Sequence, residues 1–308
     1  MQLPTHDRDF RGTGGAASFD RWPNGSRLAV SVVVNVEEGA ELSIGMGDEA
    51  NESVYEAVHR VDGQRDLCME SHFEYGTRAG WPRLRSVLRD YGVPATLSCN
   101  GRAIAISPWL AQEAVADGHE IAAHGWRWES HVGMEEAHER SVIAATVEAL
   151  AAAAGTAPLG WHTRSATSPN TRRLLVEQGG FLYDSNAYND DLPYAVRVLG
   201  RPHVVLPYAF DTNDMRFTNG GGFVQADDFA TYCMGAFDRL HKESAHVPRM
   251  LSIGLHLRII GRPGRIAGLE KFLAHAQGKP GVWFARRDQI AHAWRAASGL
   301  PPWTPEPR

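Results

Sequence analysis

Cysteine is scarce in this chain, and its scarcity excludes several kinds of protein. The 308 residues hold three cysteines, Cys68, Cys99 and Cys233. They are far apart and odd in number, and no C-x-x-C pair occurs, so neither a disulfide framework nor a cysteine zinc site is expected. All three read as reduced thiols. Also missing is any apolar run near the ~20 residues needed to cross a bilayer. The amino-terminal MQLPTHDRDFRGTGG lacks the apolar core of an export signal. The expectation is a cytoplasmic protein with no membrane partner. No block of like charge is present, and a formal net charge of −5 argues against a nucleic-acid partner.

What is present describes a globular enzyme: 43% hydrophobic and 22% charged residues. No repeat, linker or composition shift divides the chain, so one domain over residues 1–308 is expected, with 1–26 as an amino-terminal arm. Leu28–Val36 is a nearly continuous β-branched run, the pattern of a strand buried on both faces. Further strands are expected at 92–99, 119–124, 159–162, 183–185, 204–208, 249–256 and 282–284. Helices are expected at 81–91, 108–117, 134–154, 171–178, 226–244, 266–276 and 288–297, with residues 40–70 an irregular excursion. Strands alternating with helices predict a parallel sheet, and about seven repeats predict an α/β fold of the (β/α) barrel type, seven-stranded and somewhat irregular.

In parallel barrels the chemistry lies at the carboxyl ends of the strands. The polar residues there are Asn35, Glu37 and Glu38; His124, Trp126 and Trp128; Trp161, His162 and Arg164; Asp184, Ser185 and Asn186; and His256 and Arg258. Carboxylates, imidazoles, an arginine and flat aromatic faces converging on one mouth suit amide hydrolysis. Each also has a plainer reading. Glu37 and Glu38 can form a solvated turn, His124 and His256 can be satisfied core histidines, and the tryptophans can be packing. His131 and His138, on or before a polar helix, read as surface residues.

Several longer stretches narrow this further: Asn35-Val-Glu-Glu-Gly39, Glu120-Ile-Ala-Ala-His-Gly-Trp-Arg-Trp128, Asp211-Thr-Asn-Asp-Met-Arg-Phe-Thr218 and Met250-Leu-Ser-Ile-Gly-Leu-His-Leu-Arg-Ile-Ile-Gly-Arg-Pro263. With their neighbours they resemble the polysaccharide deacetylase (NodB-like) superfamily, and more closely its metal-independent allantoinase and cyclic imidase branch. The resemblance runs from about residue 21 to the end. It implies a hydrolase that cleaves a C–N amide bond. The superfamily pattern carries two aspartates, where Glu37 and Glu38 stand here, and a His-(Ser/Thr)-x-x-His zinc motif, where this chain reads His124-Gly-Trp-Arg-Trp128. Trp128 takes the second histidine's place, and an indole has no free lone pair for a metal. Catalytic zinc generally needs three protein ligands. The expectation is therefore no metal cofactor, with zinc or another divalent ion as the alternative and His131 as a remote substitute ligand. Relatives imply a homo-oligomer, a tetramer among the options.

The mechanism so implied activates water with Glu37 or Glu38. His124 orients that water or the carboxylate, and His256 protonates the leaving nitrogen. Arg258, or the Trp128 indole N–H, holds developing negative charge. Trp126, Trp128 and Trp161 would sandwich a flat ring, and Asp184 would contact substrate. The expected substrate is a small cyclic amide such as allantoin, a hydantoin or an imide. A metal-dependent sugar or peptidoglycan N-deacetylase and a non-catalytic binding barrel are the competing readings. On this reading Glu38→Gln abolishes turnover with the melting temperature nearly unchanged.

Overall fold

The structure is a computed structural model that describes residues 8–54, 59–164, 166–218, 220 and 222–305. Its centre is β1, Leu28–Val36, in which every residue is buried. The remaining strands are β2 (Ala95–Cys99), β3 (Glu120–Ala123), β4 (Gly160–Trp161), β5 (Tyr183–Asp184), β6 (Tyr194–Val198), β7 (Arg201–Val205), β8 (Arg249–His256) and β9 (Val282–Phe284). Seven of them form a curled parallel wall in the order β7-β5-β4-β3-β2-β1-β8. β8 runs along one edge of β1 from Leu28 to Asn35. The other edge is shared: β9 takes Leu28–Val30 and β2 takes Val32–Val36. Helices cover the outside, so β1 faces side chains on both surfaces, which is why it is apolar throughout. This is the α/β barrel class expected from the alternation of elements.

The wall is not closed by strands. Among the described residues, β7 and β8 share no ladder. The gap is spanned by a single bridge between Asn213 and Gly254 and by Thr212, whose hydroxyl donates to the Ser252 carbonyl at 2.6 Å. The fully buried Arg287 crosses the same gap from inside. Its guanidinium donates to the Leu206 and Pro207 carbonyls at 2.5 and 3.1 Å, to Ser252 at 2.8 Å and to Ser185 at 3.0 Å. One side chain thus replaces several ladder hydrogen bonds.

Three elements depart from the sequence reading. The excursion expected over 40–70 ends in a helix, Leu67–Tyr75, whose first turn is capped by the Asp66 carboxylate accepting from Met69 N–H at 3.0 Å. The strand expected at 204–208 lies at 201–205 and pairs antiparallel with β6 in a hairpin. Its turn places Leu199 and Gly200 at φ 50° and 76°, the left-handed pair of a two-residue hairpin. Leucine is not the residue that usually announces such a turn, so the sequence hid it. A short helix at Gly101–Ile106 was also not foreseen.

Because Arg287 holds four acceptors across an unpaired seam, Arg287→Met is expected to cost about 3 kcal/mol or more, since those acceptors lose charged donors. Urea unfolding of the variant against the parent measures it.

Candidate active site

β1 alternates its side chains between the barrel interior and the helices outside. Asn35 and Glu37, two apart, both reach the cavity at the barrel mouth. Glu38 turns the other way. Its carboxylate accepts from the Glu37 N–H at 3.0 Å and the Arg258 N–H at 3.3 Å. It also lies against Gly76, where a Cβ would sit 2.3 Å from Glu38 Oε1. The open choice between the two carboxylates is thus settled in placement: Glu37 faces the cavity and Glu38 lies behind it.

Glu37 is the hub. Its Oε1 lies 3.4 Å from His124 Nε2 and 3.5 Å from His256 Nε2, and its Oε2 pairs with Arg258 Nη2 at 2.8 Å. Burial alone would raise its pKa. The charges of His256 and Arg258, with hydrogen bonding to both histidines, overcome this and hold the carboxyl well below its usual range. Glu38 shifts the opposite way, raised by burial and by the Glu37 charge, with Arg258 only partly offsetting them.

His256 ends β8 and is fixed from behind by Asp214. Asp214 Oδ1 lies 2.6 Å from His256 Nδ1, and its Oδ2 accepts from the His256 and Ile260 N–H groups at 2.8 and 3.0 Å. Burial disfavours the imidazolium, but Glu37 and Asp214 more than compensate and push His256 up to about 9. It therefore holds a proton at neutral pH, presented on Nε2. His124 is oriented differently. Its Nδ1 lies 2.5 Å from the His162 carbonyl, which can only accept, so Nδ1 carries hydrogen and Nε2 turns to Glu37. His162 stacks on His124 with centroids 5.1 Å apart and is kept neutral, well below its usual value, by burial and by the nearby His124 and Arg287.

The cavity has a volume of about 390 Å³. One wall carries a small donor cluster. Tyr208 Oη accepts from Asn35 Nδ2 at 3.1 Å and Asn213 Nδ2 at 3.2 Å, leaving its own proton to donate. Burial raises the phenol far above its ordinary value, so it stays protonated. Trp128, Tyr188 and Phe210 also line the cavity, the last two with rings stacked at 3.8 Å.

The sequence profile described as polysaccharide deacetylase matches residues 64–183. A Schizosaccharomyces pombe protein named as a polysaccharide deacetylase is 37% identical, over 94% of this chain and 97% of its own. The chain belongs to the polysaccharide deacetylase family. The crystal structure of a Pseudomonas aeruginosa PAO1 protein described as a polysaccharide deacetylase is 44% identical with a TM-score of 0.90, covering 94% of this chain and 98% of its own. That of the Puue allantoinase is 43% identical with a TM-score of 0.91, covering 98% of this chain and all of its own.

This deacetylase-family chain does not offer a good donor set for the divalent cation that the superfamily pattern implies. Trp128 sits buried at the motif's second position, packed between Phe73 and the guanidinium of Arg164. Among the described residues no group of three or more His, Cys, Asp or Glu side chains is placed to hold a metal ion. Glu37 already pairs with one cation, Arg258, and faces a second, His256. A dication beside them would meet like charge.

Other expected site residues lie elsewhere. Trp126 borders a shallow outer groove with Arg102 and His138 and does not line the cavity. Trp161 is fully buried, bonded through its indole N–H to Thr163 and packed on Phe181, so it is core. Asp184 is fully buried in an ion pair with Arg172 at 2.7 Å and in contact with His203 at 2.9 Å. Arg258 supports the two glutamates from beneath and does not line the cavity. His131 is not a surface residue: it is fully buried, with Nδ1 2.9 Å from Glu139, whereas His138 is exposed. Asp214, Tyr208 and Asn213 were not singled out from the sequence, although the dense run Asp211-Thr-Asn-Asp214 was the available signal.

The cation on His256 is favoured by folding. Its stabilisation is complete below the ordinary imidazole value of 6.5 and is lost as pH rises through about 9. Asp214→Asn removes one source of that shift. It is expected to lower the His256 pKa by about one unit or more, and to flatten the fall in stability above pH 6.5. NMR titration of the His256 ring, with denaturation at several pH values, reads both.

Proposed function

We propose that this family member hydrolyses the C–N bond of a cyclic amide, opening a hydantoin- or imide-type ring with base-activated water and no metal. The observation that carries this reading is the buried array Asp214–His256–Glu37–His124, braced by Arg258. It places together a carboxylate whose pKa is lowered, an imidazole whose pKa is raised to about 9, and a fixed guanidinium, in a donor set poor for metal. Similarity to the Puue allantoinase over nearly the whole chain supports the ring-opening choice.

In the proposed reaction water rests on the cavity side of Glu37 and His124, within reach of both, and attacks the ring carbonyl carbon. Its proton passes to Glu37. The carbonyl oxygen, now an anion, is met by the free Tyr208 hydroxyl, with Asn35 and Asn213 holding that hydroxyl in place. The C–N bond then breaks, and the ring nitrogen leaves with the proton from His256 Nε2. Glu37 is a weak base while the imidazolium faces it. As His256 gives up its proton, that lowering charge disappears and Glu37 becomes more basic, so the two transfers assist each other. The proton on Glu37 finally reloads His256. A strained or electron-poor ring amide needs less electrophilic help than an acetamide, which fits a site without a Lewis acid. Tyr188 and Phe210 offer aromatic faces to a flat ring.

The second reading is a metal-dependent N-deacetylase of sugars or peptidoglycan. The names of the Schizosaccharomyces and Pseudomonas relatives favour it. The donor set disfavours it. Incubation with allantoin, hydantoin, succinimide, glutarimide, dihydrouracil and N-acetylglucosamine oligomers separates the two. Opening of at least one ring, with no acetate released from the oligomers, is expected; acetate release alone would establish the second reading. Glu37→Gln is expected to lower kcat on the opened ring by about 10²–10⁴. Glu38→Gln should act chiefly on stability.

A further inference from the structure

One charged side chain in the cavity has no task in the chemistry above. Arg164 follows β4 two residues after His162, so both project to the same side and both line the cavity. Its guanidinium lies face-on over Trp128, with Cζ 3.5 Å from the ring centroid, and Nη1 donates to the Trp128 carbonyl at 3.0 Å. Among the described residues no carboxylate lies within ion-pair reach, and Nε and Nη2 make no hydrogen bond. Among the described lining residues it is the one arginine or lysine.

A half-buried guanidinium with open donors is costly to desolvate unless something arrives to satisfy it. The stack and the carbonyl tether hold its plane, so little freedom is lost when a partner binds. A rigid planar fork matches two oxygens, or one broad carbonyl acceptor, better than it matches a hydroxyl-rich sugar. In a bare hydantoin or imide the reacting carbonyl goes to Glu37 and Tyr208, and only the second ring carbonyl is left, one oxygen for a fork that can hold two.

We infer that Arg164 is the specificity-determining residue of this cavity, binding a planar oxygen acceptor carried on a substituent of the cyclic amide, either a carboxylate or a ureido carbonyl. The inference rests on the cyclic-amide reading and names the class of ring within it. Arg164 binds and orients the substrate; it moves no proton.

The test compares the parent chain with Arg164→Met and Arg164→Lys on three rings: hydantoin, hydantoin-5-acetate and allantoin. The parent is expected to favour one or both substituted rings over hydantoin. Arg164→Met should raise KM for the favoured ring about tenfold or more, as loss of a charged hydrogen bond does, while kcat/KM on hydantoin changes less than about threefold. Recovery by lysine on hydantoin-5-acetate alone identifies a carboxylate; failure of lysine on allantoin identifies the planar fork and the ureido group. Equal loss on all three rings, or no loss on any, overturns the inference, because Arg164 would then only brace Trp128. If the parent opens none of the rings, the cyclic-amide reading fails by itself. Calorimetric titration with hydantoin-5-acetate and allantoin then still tests Arg164: binding that disappears in Arg164→Met supports it, and binding that is absent or unchanged overturns it. Arg164→Lys provides the same comparison if the methionine variant does not fold.

Discussion

The ion pair between Glu37 and Arg258 is the constraint on which the site depends. Two adjacent carboxylates at the end of a buried strand would be untenable alone. Arg258, itself fully buried at the start of a short helix after β8, pairs with both. It keeps Glu37 ionised, fixes Glu38 against Gly76 and ties β1 to the segment after β8. The same guanidinium brings permanent positive charge close to the Glu37 carboxylate that faces the cavity. A buried pair of this kind is weak evidence for stability, but removing one partner would leave an uncompensated buried charge.

Around it the charges are arranged to push two neighbours apart. Glu37 is driven down and His256 up, each partly by the other. Groups separated in this way divide the roles of proton acceptor and proton donor. Asp214 and the His162 carbonyl do the remaining work, each fixing one imidazole through Nδ1 so that Nε2 faces Glu37.

Much of this was legible in the sequence, for identifiable reasons. The apolar run Leu28–Val36 named a strand buried on both faces, and the turn after it named two carboxylates at a barrel mouth. Which carboxylate enters the cavity was not legible, because one residue of register exchanges them. Parity also explains Trp161, which points into the core while His162 and Arg164 line the cavity. Asp184 ends a strand, the position where catalytic residues of barrels lie, but its partners Arg172 and His203 come from elements that no local pattern places beside it. Asp214 was hidden for the same reason: it reaches His256 across 42 positions of chain. The hairpin Tyr194–Val205 was missed because Leu199-Gly200 is an uncommon turn pair.

Membership of the polysaccharide deacetylase family accounts for the fold, and the residues of this chain depart from the superfamily's metal pattern. Where the superfamily pattern would gather imidazoles for a metal, an indole is packed under a guanidinium, and a second guanidinium pairs with Glu37. The most direct measurement of whether these cations serve in place of a metal is elemental analysis of protein produced in metal-depleted medium, made on the same sample whose ring-opening rate is recorded. The account predicts full rate with transition-metal content far below one ion per chain; a rate that rises in proportion to bound metal would contradict it.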